Sequence, residues 1–147
     1  MSSINKQKTQ ESLSRNPWDV IQHFKPVDFA CKCEGLCDHR PRISLELVAK
    51  VDAMQAEVGL PFTILAGTRC KAFNFKCRGT STSALVPDHN GISHGVDLAI
   101  HDDSFRYKIV AAALSAGIKR IVLRRESIRL DDAPGAKESL RVDLSRK

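Results

Sequence analysis

The sequence predicts an α+β fold: a small single domain with a mainly antiparallel sheet and two main helices. Three observations point there. The chain has 147 residues, the size of one ordinary domain. Two segments carry apolar residues at three- and four-residue spacing, while several shorter ones read as strands. Between them lies a long stretch rich in Gly, Ser, Thr, Asn and Asp, so the expected arrangement is loop-borne chemistry above a small sheet.

Residues 1–16 are polar, with Ile4 and Leu13 as the large apolar side chains besides Met1. They read as a flexible or assembly arm before a domain spanning 17–147. Trp18, Val20, Ile21 and Phe24 supply the first anchors. The clearest helix covers about 44–58. Ser44 can cap it, Leu47, Val48, Val51, Met54 and Val58 form one stripe, and Gly59 with Pro61 stops it. A short strand is expected over 62–66, then an irregular loop over 68–95. Residues 96–101 alternate as a strand, with Asp97, Ala99 and His101 on one face and Val96, Leu98 and Ile100 on the other. A second helix is expected over 104–116, with Ile109, Val110, Ala113 and Leu114 inward and Gly117 as its cap. Strands follow at 118–123, 127–130 and 140–144, joined partly by a turn at Asp131-Asp-Ala-Pro-Gly135.

The charge balance, 23 Lys+Arg against 17 Asp+Glu for a formal +6, favours a polyanionic partner: nucleic acid, anionic lipid or bacterial wall. One Trp, one Tyr and six Phe are few for a base-stacking surface, which makes nucleic acid the weaker choice. No run approaches the ~20 apolar residues of a membrane helix, so membrane insertion is not expected. The first residues contain no apolar core of a secretory signal, so synthesis in the cytoplasm without a signal peptide is expected.

Cys31, Cys33 and Cys37 lie within seven residues, beside Asp38 and His39, and Cys70 and Cys77 follow in the long loop. In a reducing compartment such clustering favours a metal over a disulfide. A structural zinc held by Cys31, Cys33 and Cys37 with Cys70, Cys77 or His39 is one reading. Free buried thiols, or one or two disulfides in an exported particle, are the others. The stretch from Asp88 to His101 holds three of the five histidines, His89, His94 and His101, together with Asp97. Imidazole and carboxylate suit a hydrolytic zinc, and a surface or hydrogen-bonded role is the alternative for each histidine.

Four segments together resemble the M15 peptidases, the zinc D-Ala-D-Ala carboxypeptidase and L-alanyl-D-glutamate endopeptidase group, in their small phage-type form. The first is His23-Phe24-Lys-Pro-Val-Asp-Phe29-Ala-Cys31-Lys-Cys33. The second is Val58-Gly59-Leu-Pro61-Phe-Thr-Ile64-Leu-Ala66-Gly67-Thr-Arg69-Cys70-Lys-Ala-Phe-Asn74. The third runs from His89 to Leu98, and the last from Gly117 through Arg120, Ile121, Glu126 and Arg129 to Asp131. The resemblance spans about 23–131.

It implies a zinc held by a His and an Asp of the third segment and a His of the last. Asp97 matches the aspartate. His89 is preferred on spacing, with His94 as its substitute, and His94 or His101 could complete a rearranged site. The position of the last histidine carries Arg129, which does not ligate zinc. Glu126 falls at the acid/base carboxylate, and Arg69 resembles the arginine that meets the substrate carboxylate. A second alignment, Glu138-Ser-Leu-Arg141-Val-Asp143, again carries Arg for His. The metal site is therefore degenerate. Two functions follow from the resemblance: a zinc peptidase-like domain that acts on or binds peptidoglycan stem peptides, or a catalytically inactive virion or tail protein that retains the fold. The partners would be peptidoglycan peptide in the first case and phage structural proteins in the second. The source would be the bacterial cytoplasm, with possible association with a virion.

Overall fold

A computed structural model describes residues 16–145. The arm expected over 1–16 lies outside the described residues except for Asn16. Asn16 caps a 3-10 turn, Pro17–Val20, by accepting from Trp18 N–H, and a second such turn follows at Pro26–Phe29.

The first long helix, α1, is Leu45–Val58. The Ser44 hydroxyl accepts from Leu47 N–H at its start, and Gly59 closes it at φ 74°. A residue with Cβ would be strained at that φ, and glycine is not. Strand β1 is Ile64–Ala66. The stretch expected to be irregular contains a short helix, α2, at Lys71–Lys76. Six residues are too few for a helical period to repeat, so no apolar stripe announces it. It is held instead by contacts at its ends. Cys70 Sγ accepts from Phe73 N–H, and buried Asn74 donates to Thr80 C=O. Strand β2 is Gly95–Ala99, helix α3 is Asp103–Ala116, and β3, β4 and β5 are Arg120–Leu123, Ser127–Asp131 and Ser139–Val142.

The five strands lie in the order β1-β2-β4-β3-β5. All neighbours are antiparallel except β3 and β5, which run parallel. The exception follows from topology: β4 is paired with β2 on one edge and β3 on the other, so the chain must cross to the outside of β3. α1 and α3 pack on each other and on one sheet face. Their stripes (Leu47, Val48, Val51, Met54; Phe105, Ile109, Ala112, Ala113) share a core with Val96, Leu98, Ile121, Ile128 and Leu130. No helix among the described residues is long and apolar enough to cross a membrane.

Two ion pairs tie this frame together. Arg120 and Asp131 sit opposite each other on β3 and β4 and form one. Lys50 Nζ reaches Asp132 Oδ2 at 2.7 Å, joining α1 to the end of β4.

Candidate functional site

On the sheet, Asp97 of β2 lies directly opposite Arg129 of β4. The alternation that sends Val96 and Leu98 into the core sends Asp97 to the other face, and the same parity turns Arg129 toward it. Arg129 Nε donates to Asp97 Oδ1 at 2.7 Å and Nη2 donates to Oδ2 at 2.9 Å. Asp97 is only 6% exposed. Burial works against the Arg129 charge, but the Asp97 hydrogen bonds and field outweigh it and raise the guanidinium pKa.

Arg124, just past β3, brings Nη1 to 3.8 Å from Asp97 Oδ2. Burial, then the neighbouring Arg129 charge, lower the Arg124 pKa against the pull of Asp97. Arg124 N–H donates to Ser127 C=O, closing the β3–β4 hairpin whose turn carries Arg125 and Glu126. These residues, with Arg69, Thr80 and Ser127, line an open cleft of about 690 Å³.

The structure thus brings Asp97, Glu126 and Arg69 to one cleft, and leaves His89 and His94 outside it. His94 Nε2 pairs with Asp88 Oδ2 at 2.9 Å, while His89 is exposed beside a smaller depression lined by Cys70, Pro87 and Asp88. His101 stacks on Phe105 with ring centroids 4.9 Å apart, in another depression beside Leu60 and Pro61. His89, His94 and Asp97 do not form a set of ligand atoms close enough for one ion among the described residues. A catalytic zinc does not fit at Asp97. Both carboxylate oxygens are engaged by a permanently protonated fork, and a second guanidinium stands beside them.

The thiols do converge. Sγ atoms of Cys31, Cys33, Cys37 and Cys70 all lie within 4.8 Å of one another. The turn that gathers the first three uses Gly35 at φ 72° and His39 at φ 59°. The fourth arrives because residues 29–33 run beside the end of β1. Thr68 N–H donates to Phe29 C=O, and Lys32 Nζ donates to Ile64 C=O and Leu65 C=O. Gly67 permits this approach, since a Cβ there would lie 2.6 Å from Phe29 O.

Backbone N–H groups donate to sulfur around the cluster, among them His39 to Cys37, Cys70 to Cys31, and Phe73 to Cys70. Burial pushes the Cys31 thiol up to about 12. At Cys33 burial also acts upward, but the Cys37 hydrogen bond and the Leu36 N–H bring it down to about 7. Four sulfur donors at this spacing form a cluster capable of coordinating a metal ion, and thiolates are the soft ligands that suit zinc. Cys77 belongs to the cleft lining instead.

The Peptidase M15 family model matches residues 22–127 of this chain. The chain belongs to the M15 peptidase family. No curated protein matches it. Within this M15 domain the matched region includes both the thiol cluster and the Asp97 strand. Sequence reasoning singled out Arg69, Asp97 and Glu126 but missed Arg124 and Arg125. Their one legible signal was the Arg124-Arg125 pair inside the last family-like segment, immediately before Glu126.

Proposed function

We propose that this M15 domain binds peptidoglycan stem peptides without hydrolysing them by a zinc mechanism, and that its zinc is structural. The observation that carries this reading is the Asp97–Arg129 pair. A family aspartate that should face a metal instead neutralises an arginine. Glu126 remains at the cleft rim, but a carboxylate without an activated water has no nucleophile to serve. The basic cleft and the formal +6 of the chain suit the carboxylates of stem peptides.

Zinc would be held by Cys31, Cys33, Cys37 and Cys70, and four thiolates are the donor set of a structural zinc rather than of a hydrolytic one. It would pin residues 29–37 to the Arg69-Cys70 segment and so fix the wall of the cleft. The resemblance to small phage-type domains further supports a place on a virion or tail, where a fold that holds the wall without cutting it serves attachment.

The test is co-sedimentation with purified peptidoglycan sacculi, with released peptides measured in the supernatant. Binding without release is expected. Chelator-sensitive release of stem-peptide fragments that disappears in Asp97→Asn would overturn the reading. Mass spectrometry of purified phage particles checks the virion assignment, and absence of the chain from them would remove it.

A further inference from the structure

The two edges of the sheet are finished differently. At β1 the carbonyls of Ile64 and Leu65 accept from Lys32 Nζ, so a neighbouring side chain covers that edge. At the far edge β5 has β3 beside it and no strand beyond it among the described residues, and all four of its residues are exposed. An open edge strand offers unpaired N–H and C=O groups to any strand that fits.

The backbone of β5 shows which groups face outward. Ser139 and Asp143 N–H donate to Lys119 and Leu123 C=O, so the odd-numbered residues turn their backbone groups toward β3. By alternation Leu140 and Val142 turn theirs to the open edge. Their side chains lie in register with Ile121 and Leu123, on the core face of the sheet, yet no helix covers them. Leu140, Val142 and Leu144 are each more than half exposed. Arg141 and Asp143 point to the opposite face. Neither forms an ion pair within the chain among the described residues.

Residues 139–145 read Ser-Leu-Arg-Val-Asp-Leu-Ser. About Val142 the segment is the same in both directions, except that Arg141 on one side answers Asp143 on the other. We infer that β5 is a self-association edge: two copies of the chain pair antiparallel about a two-fold axis through Val142 and join their sheets into one. The inference does not rest on the stem-peptide reading.

The symmetric register satisfies every position. Val142 meets Val142 of the second copy with both backbones facing, so the two residues exchange two hydrogen bonds. Leu140 lies opposite Leu144 twice, which puts the exposed apolar side chains of both copies against each other. On the other face Arg141 lies opposite Asp143 twice, in the closer, non-hydrogen-bonded kind of pair where side chains interact most. A shift of two residues in one direction would set Arg141 against Arg141, and like charges directly opposite are destabilising. The surface is therefore complementary to itself, as an isologous interface requires.

Analytical ultracentrifugation of the full chain in reducing buffer, over a concentration series, tests the inference. A reversible monomer–dimer equilibrium is expected. Val142→Pro deletes an outward N–H and spares the ladder to β3, so it should give a folded monomer. Arg141→Asp and Asp143→Arg each turn two attractive contacts repulsive and should weaken self-association about tenfold or more. Mixed in equal amounts, these two variants should pair with each other, because every cross-strand contact is again between opposite charges. The double variant Arg141→Asp/Asp143→Arg should return to within about threefold of the parent affinity.

Thermal midpoints show that the variants are folded, and the charge variants carry the test alone should Val142→Pro unfold. A parent that stays monomeric at every concentration overturns the inference and leaves the edge to a strand of another protein. A dimer unchanged by a folded Val142→Pro, or by either charge reversal, overturns it by placing the interface elsewhere. Charge reversals that weaken the dimer without recovery in the mixture or the double variant overturn the register.

Discussion

Replacing Arg129 with Met removes both hydrogen bonds from a carboxylate that is 6% exposed. Removing one partner of a buried ion pair costs about 3–5 kcal/mol, because the remaining charge is left desolvated. Arg124 lies 3.8 Å from Asp97 and can move in to replace part of the lost attraction, which puts the expected loss near the lower limit, about 3 kcal/mol. For a domain of this size that corresponds to a fall in melting temperature of about 10 °C. The double variant Asp97→Leu/Arg129→Met removes both charges and should recover most of the loss, to within about 1–2 kcal/mol of the parent. Chemical denaturation of the parent, the two single variants and the double variant gives the coupling energy directly. If Arg129→Met melts within about 2 °C of the parent, or if the double variant is no better than the single, Asp97 is stabilised by something other than this arginine. The physical basis for excluding a metal there would then be gone.

Two other variants follow from the geometry. Gly67→Ala should destabilise the fold by about 1–3 kcal/mol or more, because its Cβ would meet the Phe29 backbone at 2.6–2.7 Å; denaturant unfolding measures this, and an unchanged midpoint would show that residues 29–33 do not pack on β1 as described. Asp88 has a carboxyl pKa lowered first by the His94 hydrogen bond and then by the Ile92 and Asn90 N–H groups, against a smaller opposing effect of burial. Its stabilising contribution is therefore fully present above the unfolded-state value and is lost as pH falls below that value through the lowered folded-state one. Asp88→Asn should flatten that part of the acid-unfolding curve, and a curve superposable on the parent would contradict the pairing.

What the sequence revealed depended on how local the determining contacts are. α1 and α3 were legible because fourteen residues each repeat an apolar stripe and end on Gly59 and Gly117. α2 was not, since its six residues are held by Cys70 and Asn74 rather than by a pattern. The parallel placement of β5 is a consequence of β4 having both edges filled, which no stretch of residues records. At the site, the arginine at the expected histidine position was visible in the motif, but its partner was not. That required the β2–β4 register placing Asp97 opposite Arg129. The cysteines divide in the same way. Cys31, Cys33 and Cys37 are neighbours in the chain, whereas choosing Cys70 over Cys77 as the fourth member depended on the packing of residues 29–33 against β1.

Metal content per chain tests the central claim most directly: zinc, where present, belongs to the thiols and Asp97 belongs to arginine. Protein purified without added metal, as the parent and as Asp97→Asn, Cys33→Ser and Cys70→Ser, would be assayed by plasma mass spectrometry. About one zinc per chain is expected in the parent, retained in Asp97→Asn and lost in both cysteine variants. Zinc that disappears with Asp97→Asn and persists in the cysteine variants would contradict the account and place the metal at Asp97.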